Sequence, residues 1–221
     1  MTKRLCWGLL MVAVAGCASP PRPAPPVPPS AQPTSVGALA AAIDADSKRS
    51  DHETDSKARA DIAAEASRDA DSCVALQPQA VACLYGRGVA FGLQARAHPT
   101  RAGEFLNNML DALTHADAAD PNYDEAGPSR VRALVLLRAP GWPLGPGDTD
   151  AALVAARRAV ALKPEYPANL LALAEALAKT GDGSGARDAY SRARDAAIAM
   201  PASEDRDEWL RESDQGLAKA R

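Results

Sequence analysis

Residues Pro167–Met200, PANLLALAEALAKTGDGSGARDAYSRARDAAIAM, decide the fold. Two alanine-rich runs, Ala168–Lys179 and Ser184–Met200, flank Gly181-Asp182-Gly183. Ala, Leu, Glu and Arg are good helix formers, and a Gly-Asp-Gly segment makes a tight turn, so the stretch predicts two helices folded back on each other. The pattern recurs upstream. Pro78, Pro121 and Pro164 each close an alanine-rich segment (ALQP, AADP, ALKP), at a constant spacing of 43 residues. A fixed period of this size is the signature of stacked helical hairpins. The intervals hold the pairs Ala80–Ala97 with Thr100–Ala119, and Ser129–Arg138 with Thr149–Leu162. A helix over roughly Ser56–Leu76 opens the stack, and a more polar helix, Ser203–Ala220, closes it. β-branched runs are nearly absent, so the chain reads as all-α.

The stretch from Pro167 resembles a tetratricopeptide repeat. Leu170, Leu173, Ala174 and Leu177 fall at the large and small positions of that motif's first helix, and Ala186, Tyr190 and Ala193 at the small-large-small positions of its second. Small residues there let two helices approach closely while the large one fills the gap between units. The preceding unit ends in register, with Ala152, Ala156, Ala159 and Pro164, but it is nine residues too long. The excess fits in the loop Ala139–Asp148, APGWPLGPGD. The expected fold is therefore all-α, stacked antiparallel helical hairpins of tetratricopeptide-repeat type with a C-terminal capping helix.

The N-terminus supplies an address. Lys3 and Arg4 precede a short apolar run, Leu5–Ala13, which ends in Val14-Ala15-Gly16-Cys17. An apolar run this short behind basic residues reads as an export signal. The closing Val-Ala-Gly-Cys looks like the lipobox of bacterial lipoproteins, which implies cleavage after residue 16 and lipid on Cys17. The expected organisation is a signal peptide over 1–16, a lipidated N-terminus and proline-rich linker over 17–36, and a helical domain over 37–221. Ser19–Pro33, SPPRPAPPVPPSAQP, excludes helix and central strand because proline lacks an N–H and fixes φ. It is either an extended polyproline-II spacer, reaching up to roughly 45 Å, or a plain tether. By resemblance to enterobacterial lipoprotein sorting, Ala18 rather than aspartate after the cysteine leans the expected location toward the outer membrane, facing the periplasm. Export also bears on Cys73 and Cys83, which stand five residues either side of Pro78. If Pro78 marks a turn, the pair lies at equal depth on antiparallel helices, and an oxidising compartment favours a disulfide; the alternative is two buried thiols.

A closer resemblance gathers around the long loop. Asp120-Pro121-x-Tyr123, Gly127, Arg130, Ala139-Pro140-Gly141-Trp142-Pro143, Gly147-Asp148 and Asn169 look like the T-component lipoproteins of tripartite ATP-independent periplasmic (TRAP) transporters. That resemblance implies a periplasmic lipoprotein associated with the transporter's solute-binding protein.

Few residues suggest chemistry. His52, His98 and His115 do not share the i, i+4 spacing of a helical metal pair, and Cys-x-x-Cys is missing. Gly181–Gly185 lacks the Gly-Lys-Ser/Thr of a phosphate loop. A formal net charge of −3, made more negative by loss of Lys3 and Arg4, argues against nucleic acid. The expectation is a non-enzyme without metal or cofactor. Stacked hairpins form a concave groove lined by their first helices, which suits protein or peptide binding. By repeat position Tyr85, Val89, Arg132, Val135, Leu171, Glu175 and Lys179 face it. Trp142 and Pro143 join the partner-binding candidates: Trp142 is either an exposed interface anchor or a plug between helices. The leading function is a protein-binding scaffold or adaptor, with a TRAP solute-binding protein as the partner. The alternatives are an envelope-assembly factor of the pilotin or outer-membrane-assembly kind, and a small apolar ligand bound within the stack.

Overall fold

A computed structural model describes residues 34–219. Cys17, the signal segment and the proline-rich segment Ser19–Pro33 lie outside the described residues. Among the described residues nine α-helices follow one another: α1 (Val36–His52), α2 (Ser56–Leu76), α3 (Val81–Ala97), α4 (Ala102–Ala119), α5 (Tyr123–Arg138), α6 (Thr149–Leu162), α7 (Pro167–Lys179), α8 (Gly183–Ala199) and α9 (Glu204–Lys219). Strands are missing among them, apart from one isolated bridge between Gly141 and Gly147. None of these helices is long and apolar enough to cross a membrane.

Helices pair in sequence, α1 with α2, α3 with α4, α5 with α6 and α7 with α8, and each hairpin packs on the next; α9 covers α8 and reaches α7. The second helix of each pair is where alanine does its packing. Buried positions are Ala63, Ala66, Ala70 and Cys73 on α2, Ala152, Ala155, Ala156 and Ala159 on α6, and Ala186, Ala189, Ala193 and Ala197 on α8. These spacings of three and four residues place the small side chains on one face, so neighbouring axes come close without a large apolar core. The large residues come mostly from first helices: Leu170 is 1% exposed and sits against Ala193, Val160 and Trp209, while Leu113 and Met109 come from α4. Gly88 serves the same purpose on α3, where a Cβ would press on Leu113 at 3.3 Å.

Local sequence sets the boundaries. Ser35, Asp55, Asp148 and Asp182 cap α1, α2, α6 and α8 by accepting from backbone N–H groups three residues on. Pro167 opens α7 at a position where its missing N–H costs nothing. Gly181, at φ +87°, ends the α7–α8 turn in a conformation that favours glycine.

Two elements differ from the sequence reading. The stack begins one helix earlier than Ser56, with α1. Its buried stripe is Leu39, Ile43, Asp46 and Ser50, so half of it is polar and the apolar period is hidden. Further on, α5 begins at Tyr123 rather than Ser129, because Asp124, Glu125 and Ala126 form a left-handed turn (φ 49°, 53° and 63°) before the regular helix. Cys73 and Cys83 are joined in a disulfide between the last turn of α2 and the first turn of α3, with Cα atoms 5.2 Å apart and both residues fully buried beside Leu39.

Candidate functional site

The left-handed turn lies on the concave side of the stack. Such a turn costs roughly 1–2 kcal/mol per non-glycine residue, so it persists only where neighbours hold it. Arg130 Nη1 donates to the carbonyls of Asp124 and Glu125, both at 3.1 Å. Its Nη2 meets Asp124 Oδ2 at 2.7 Å, and the Tyr85 hydroxyl donates to the same oxygen at 2.9 Å. Asn169, fully buried on α7, donates to the carbonyls of Glu125 (3.0 Å), Ala159 (3.3 Å) and Lys163 (3.3 Å) and accepts from Arg130 at 3.2 Å. Gly127 leaves the room for this arrangement, since a Cβ there would stand 2.7 Å from Asp124 Oδ2 and 3.0 Å from the Tyr85 oxygen. Three hairpins thus meet at one polar knot. Burial, and then the Asp124 carboxylate, push the Tyr85 hydroxyl well above the usual phenol range, so it stays a donor at any physiological pH.

Two concavities flank the knot. One, of about 760 Å³, is lined by α1, α3, α5 and α7 and by Asp205 and Trp209 of α9. The other, of about 420 Å³, lies between α5, α7 and α9 and is edged by the Arg138–Glu175 ion pair (2.8 Å). That pair raises the Arg138 guanidinium, while burial and then Glu208 raise the Glu212 carboxyl above the ordinary range.

Of the residues expected on the groove, Tyr85, Val89, Leu171 and Glu175 line it. Arg132 does not: it is exposed, and α5 turns Arg130, Leu134 and Arg138 to the groove instead. Val135 lines neither concavity. The left-handed turn rephases α5, and a repeat count that assumes continuous helix cannot see it. Lys179 lies beyond the groove, its Nζ donating to the Leu137 carbonyl at 2.6 Å, where a cation complements the C-terminal end of α5. The rings that the repeat count missed are Tyr123, Tyr166 and Trp209. A signal was present for two of them, since Tyr123 and Tyr166 each follow a repeat proline by two residues.

The loop between α5 and α6 is ordered by its own backbone. Gly147 N–H donates to the Pro140 carbonyl at 2.9 Å, Leu144 N–H to Gly141 at 3.0 Å, and Asp148 N–H to Leu136 at 3.0 Å. Gly147 has no space for a Cβ, which would collide with the Ala139 carbonyl. The loop rests on the start of α4, where Gly103 lets the Leu144 carbonyl approach. Trp142 is not a plug between helices. It is 91% exposed, Leu144 is 76% exposed, and Pro143 is exposed between them. Among the described residues no cluster of His, Cys, Asp or Glu has the geometry to hold a metal ion.

A tetratricopeptide-repeat family profile matches residues 144–197, which hold the end of this loop, α6, α7 and most of α8. The fold is all-α and tetratricopeptide-like. A thermophilic TPR protein of Thermus thermophilus superposes with a TM-score of 0.55 at 20% identity, covering 83% of this chain and 92% of that one. The MamA protein gives a TM-score of 0.45 at 16% identity, covering 83% and 91%. Among curated proteins no match is found. In this tetratricopeptide-like chain the repeat positions Leu170, Ala174, Leu177, Ala186 and Ala193 are all buried, and Leu173 and Tyr190 are half-buried. This architecture supports a protein-binding scaffold.

Proposed function

We propose that the chain is an adaptor held at the bacterial envelope by lipid on Cys17, facing the periplasm from the outer membrane, and that it docks the solute-binding protein of a TRAP transporter through the Trp142 loop. The observation that carries the docking surface is Trp142 itself. A tryptophan 91% exposed on a hydrogen-bonded loop is poised as an interface anchor, because its burial in a partner releases a large apolar area at little cost in ordering. Val14-Ala15-Gly16-Cys17 supports the anchor, and the Pro-Gly-Trp-Pro insertion with Tyr123, Gly127, Arg130 and Asn169 supports the transporter reading. The chain acts without catalysis on this reading.

The experiment is site-specific photo-crosslinking. A photoreactive residue in place of Trp142, in cells co-expressing a TRAP solute-binding protein, should yield one crosslinked species containing that protein. A photoreactive residue in place of Asp61, exposed on α2, should not. Equal crosslinking from both places refutes the docking surface, and a secretin or outer-membrane-assembly protein as the crosslinked species transfers the protein to envelope assembly. For the anchor, a fatty-acid analogue should label wild type and not Cys17→Ala; equal labelling refutes it.

A further inference from the structure

The larger concavity gathers four of the chain's nine aromatic residues. Three of the four tyrosines stand in or beside the knot and line this one cavity (Tyr85, Tyr123 and Tyr166), together with Trp209, one of three tryptophans. The rings form two edge-to-face pairs, Tyr85 with Tyr123 and Tyr166 with Trp209, each with centroids 5.3 Å apart. Helices α1 and α9 face each other across the mouth without packing together, and the charges there are Lys48 on one side and Glu204 and Asp205 on the other. A volume of about 760 Å³ suits a small-molecule site.

The charges say which kind of molecule. Three cations line the cavity, and each is committed: Lys48 to Asp44 at 3.0 Å, Arg96 to Asp51 at 2.6 Å, and Arg130 to Asp124 at 2.7 Å. Asp205 has no ion-pair partner among the described residues. The negative field reaches the rings: after burial, Asp124 and Asp44 raise the Tyr123 hydroxyl, and Asp124, Asp205 and Glu125 raise that of Tyr166 against the opposing pull of Arg130. The rings already accept one cation, since the Arg130 guanidinium lies 5.2 Å from the Tyr166 centroid. An anion would find no free partner here. A purely apolar ligand would leave the carboxylates desolvated.

We propose that this cavity binds a small organic cation, an alkylammonium or guanidinium group held among Tyr123, Tyr166 and Trp209 and matched by Asp205. Aromatic faces attract cations through their quadrupole, most strongly where water is excluded. The inference is independent of the Trp142 docking surface.

Calorimetric titration of the folded chain with choline and with its neutral isostere 3,3-dimethylbutan-1-ol tests it. Choline should bind about tenfold more tightly, the size of effect a desolvated cation–ring contact supplies. Asp205→Asn, an exposed change that leaves the fold alone, should weaken choline several-fold and leave the isostere unchanged. Tyr123→Leu should remove most of the preference, while Trp142→Ala should change nothing. An N-acetylated, C-amidated Gly-Lys-Gly peptide and its Nζ-acetyl form separate the sources: tighter binding of the charged peptide than of choline assigns the cation to a protein side chain, and the reverse assigns it to a free small-molecule ammonium. Equal binding of choline and its isostere, no binding of any charged probe, or a preference untouched by both Asp205→Asn and Tyr123→Leu would overturn the proposal.

Discussion

Asn169→Ala should unsettle three hairpins at once. The side chain is fully buried and its amide serves four partners: the carbonyls of Glu125, Ala159 and Lys163, and Arg130 Nη1. Alanine leaves the carbonyl of Glu125, inside the left-handed turn, with Arg130 alone. Stranding buried polar groups in this way costs about 1–3 kcal/mol. The void left by the missing amide adds about 1 kcal/mol. The sum is roughly 3 kcal/mol, which for a unit of this size lowers Tm by about 6–12 °C. Urea denaturation followed by circular dichroism measures it, and amide exchange should show the loss first in α5 and α7. Asn169→Asp sharpens the reasoning. Its carboxylate keeps Arg130 at one oxygen but turns the other, which cannot donate, toward three carbonyl oxygens; burial and that repulsion outweigh a single guanidinium already paired with Asp124, so its pKa is raised in the fold. The folded state then holds the proton more tightly than the unfolded one, so stability falls as pH rises through the raised value. The deficit of Asn169→Asp should therefore shrink on acidification, while that of Asn169→Ala stays constant relative to wild type. A loss below about 1 kcal/mol for alanine, or an aspartate variant as stable as wild type at pH 7, would refute the knot as the element that joins the hairpins.

Three further outcomes follow from local geometry. Removing the Cys73–Cys83 bridge by double substitution to alanine frees a loop closed over a separation of 10 residues; the chain-entropy relation gives a loss of about 2.7 kcal/mol, checked by denaturation with and without reductant, and an unchanged midpoint would exclude the bridge as a stabilising element. Asp46 is buried between α1 and α2 with Oδ2 lacking a hydrogen-bond partner, and burial, opposed by Arg49 and reinforced by Glu65 and Asp69, raises its carboxyl. Because the folded pKa lies above the unfolded one, the wild type loses stability as pH climbs from about 4 through that value, and the stability of Asp46→Asn relative to wild type should rise across the same window; a difference flat with pH contradicts this. Gly216→Ala would drive a Cβ into the Tyr190 ring, so α9 should lift, at a cost of about 1–3 kcal/mol, and its amides should exchange faster while those of α3 and α4 do not.

The sequence alone determined the repeat. Alanine at spacings of three and four, prolines every 43 residues and Gly181-Asp182-Gly183 are local signals, and local signals are enough to place hairpins, because each unit contacts little beyond its neighbours. The Cys73 and Cys83 positions were legible for the same reason, being symmetric about one turn. What the tertiary structure decided were the phases and the long-range meetings. The α5 face was set by a left-handed turn at Asp124–Ala126 that Arg130, Tyr85 and Asn169, from three different helices, hold in place. The same turn displaced Arg132 from the groove and brought Arg130 onto it. Helix α1 was hidden because Asp46 and Ser50 occupy half of its buried stripe. Tyr85, Tyr123, Tyr166 and Trp209 are spread over more than a hundred residues and meet only because the stack curves, placing α1 and α9 across one cavity. Curvature is the sum of small rotations between packed helices, so it belongs to the assembled stack and to no single stretch of sequence.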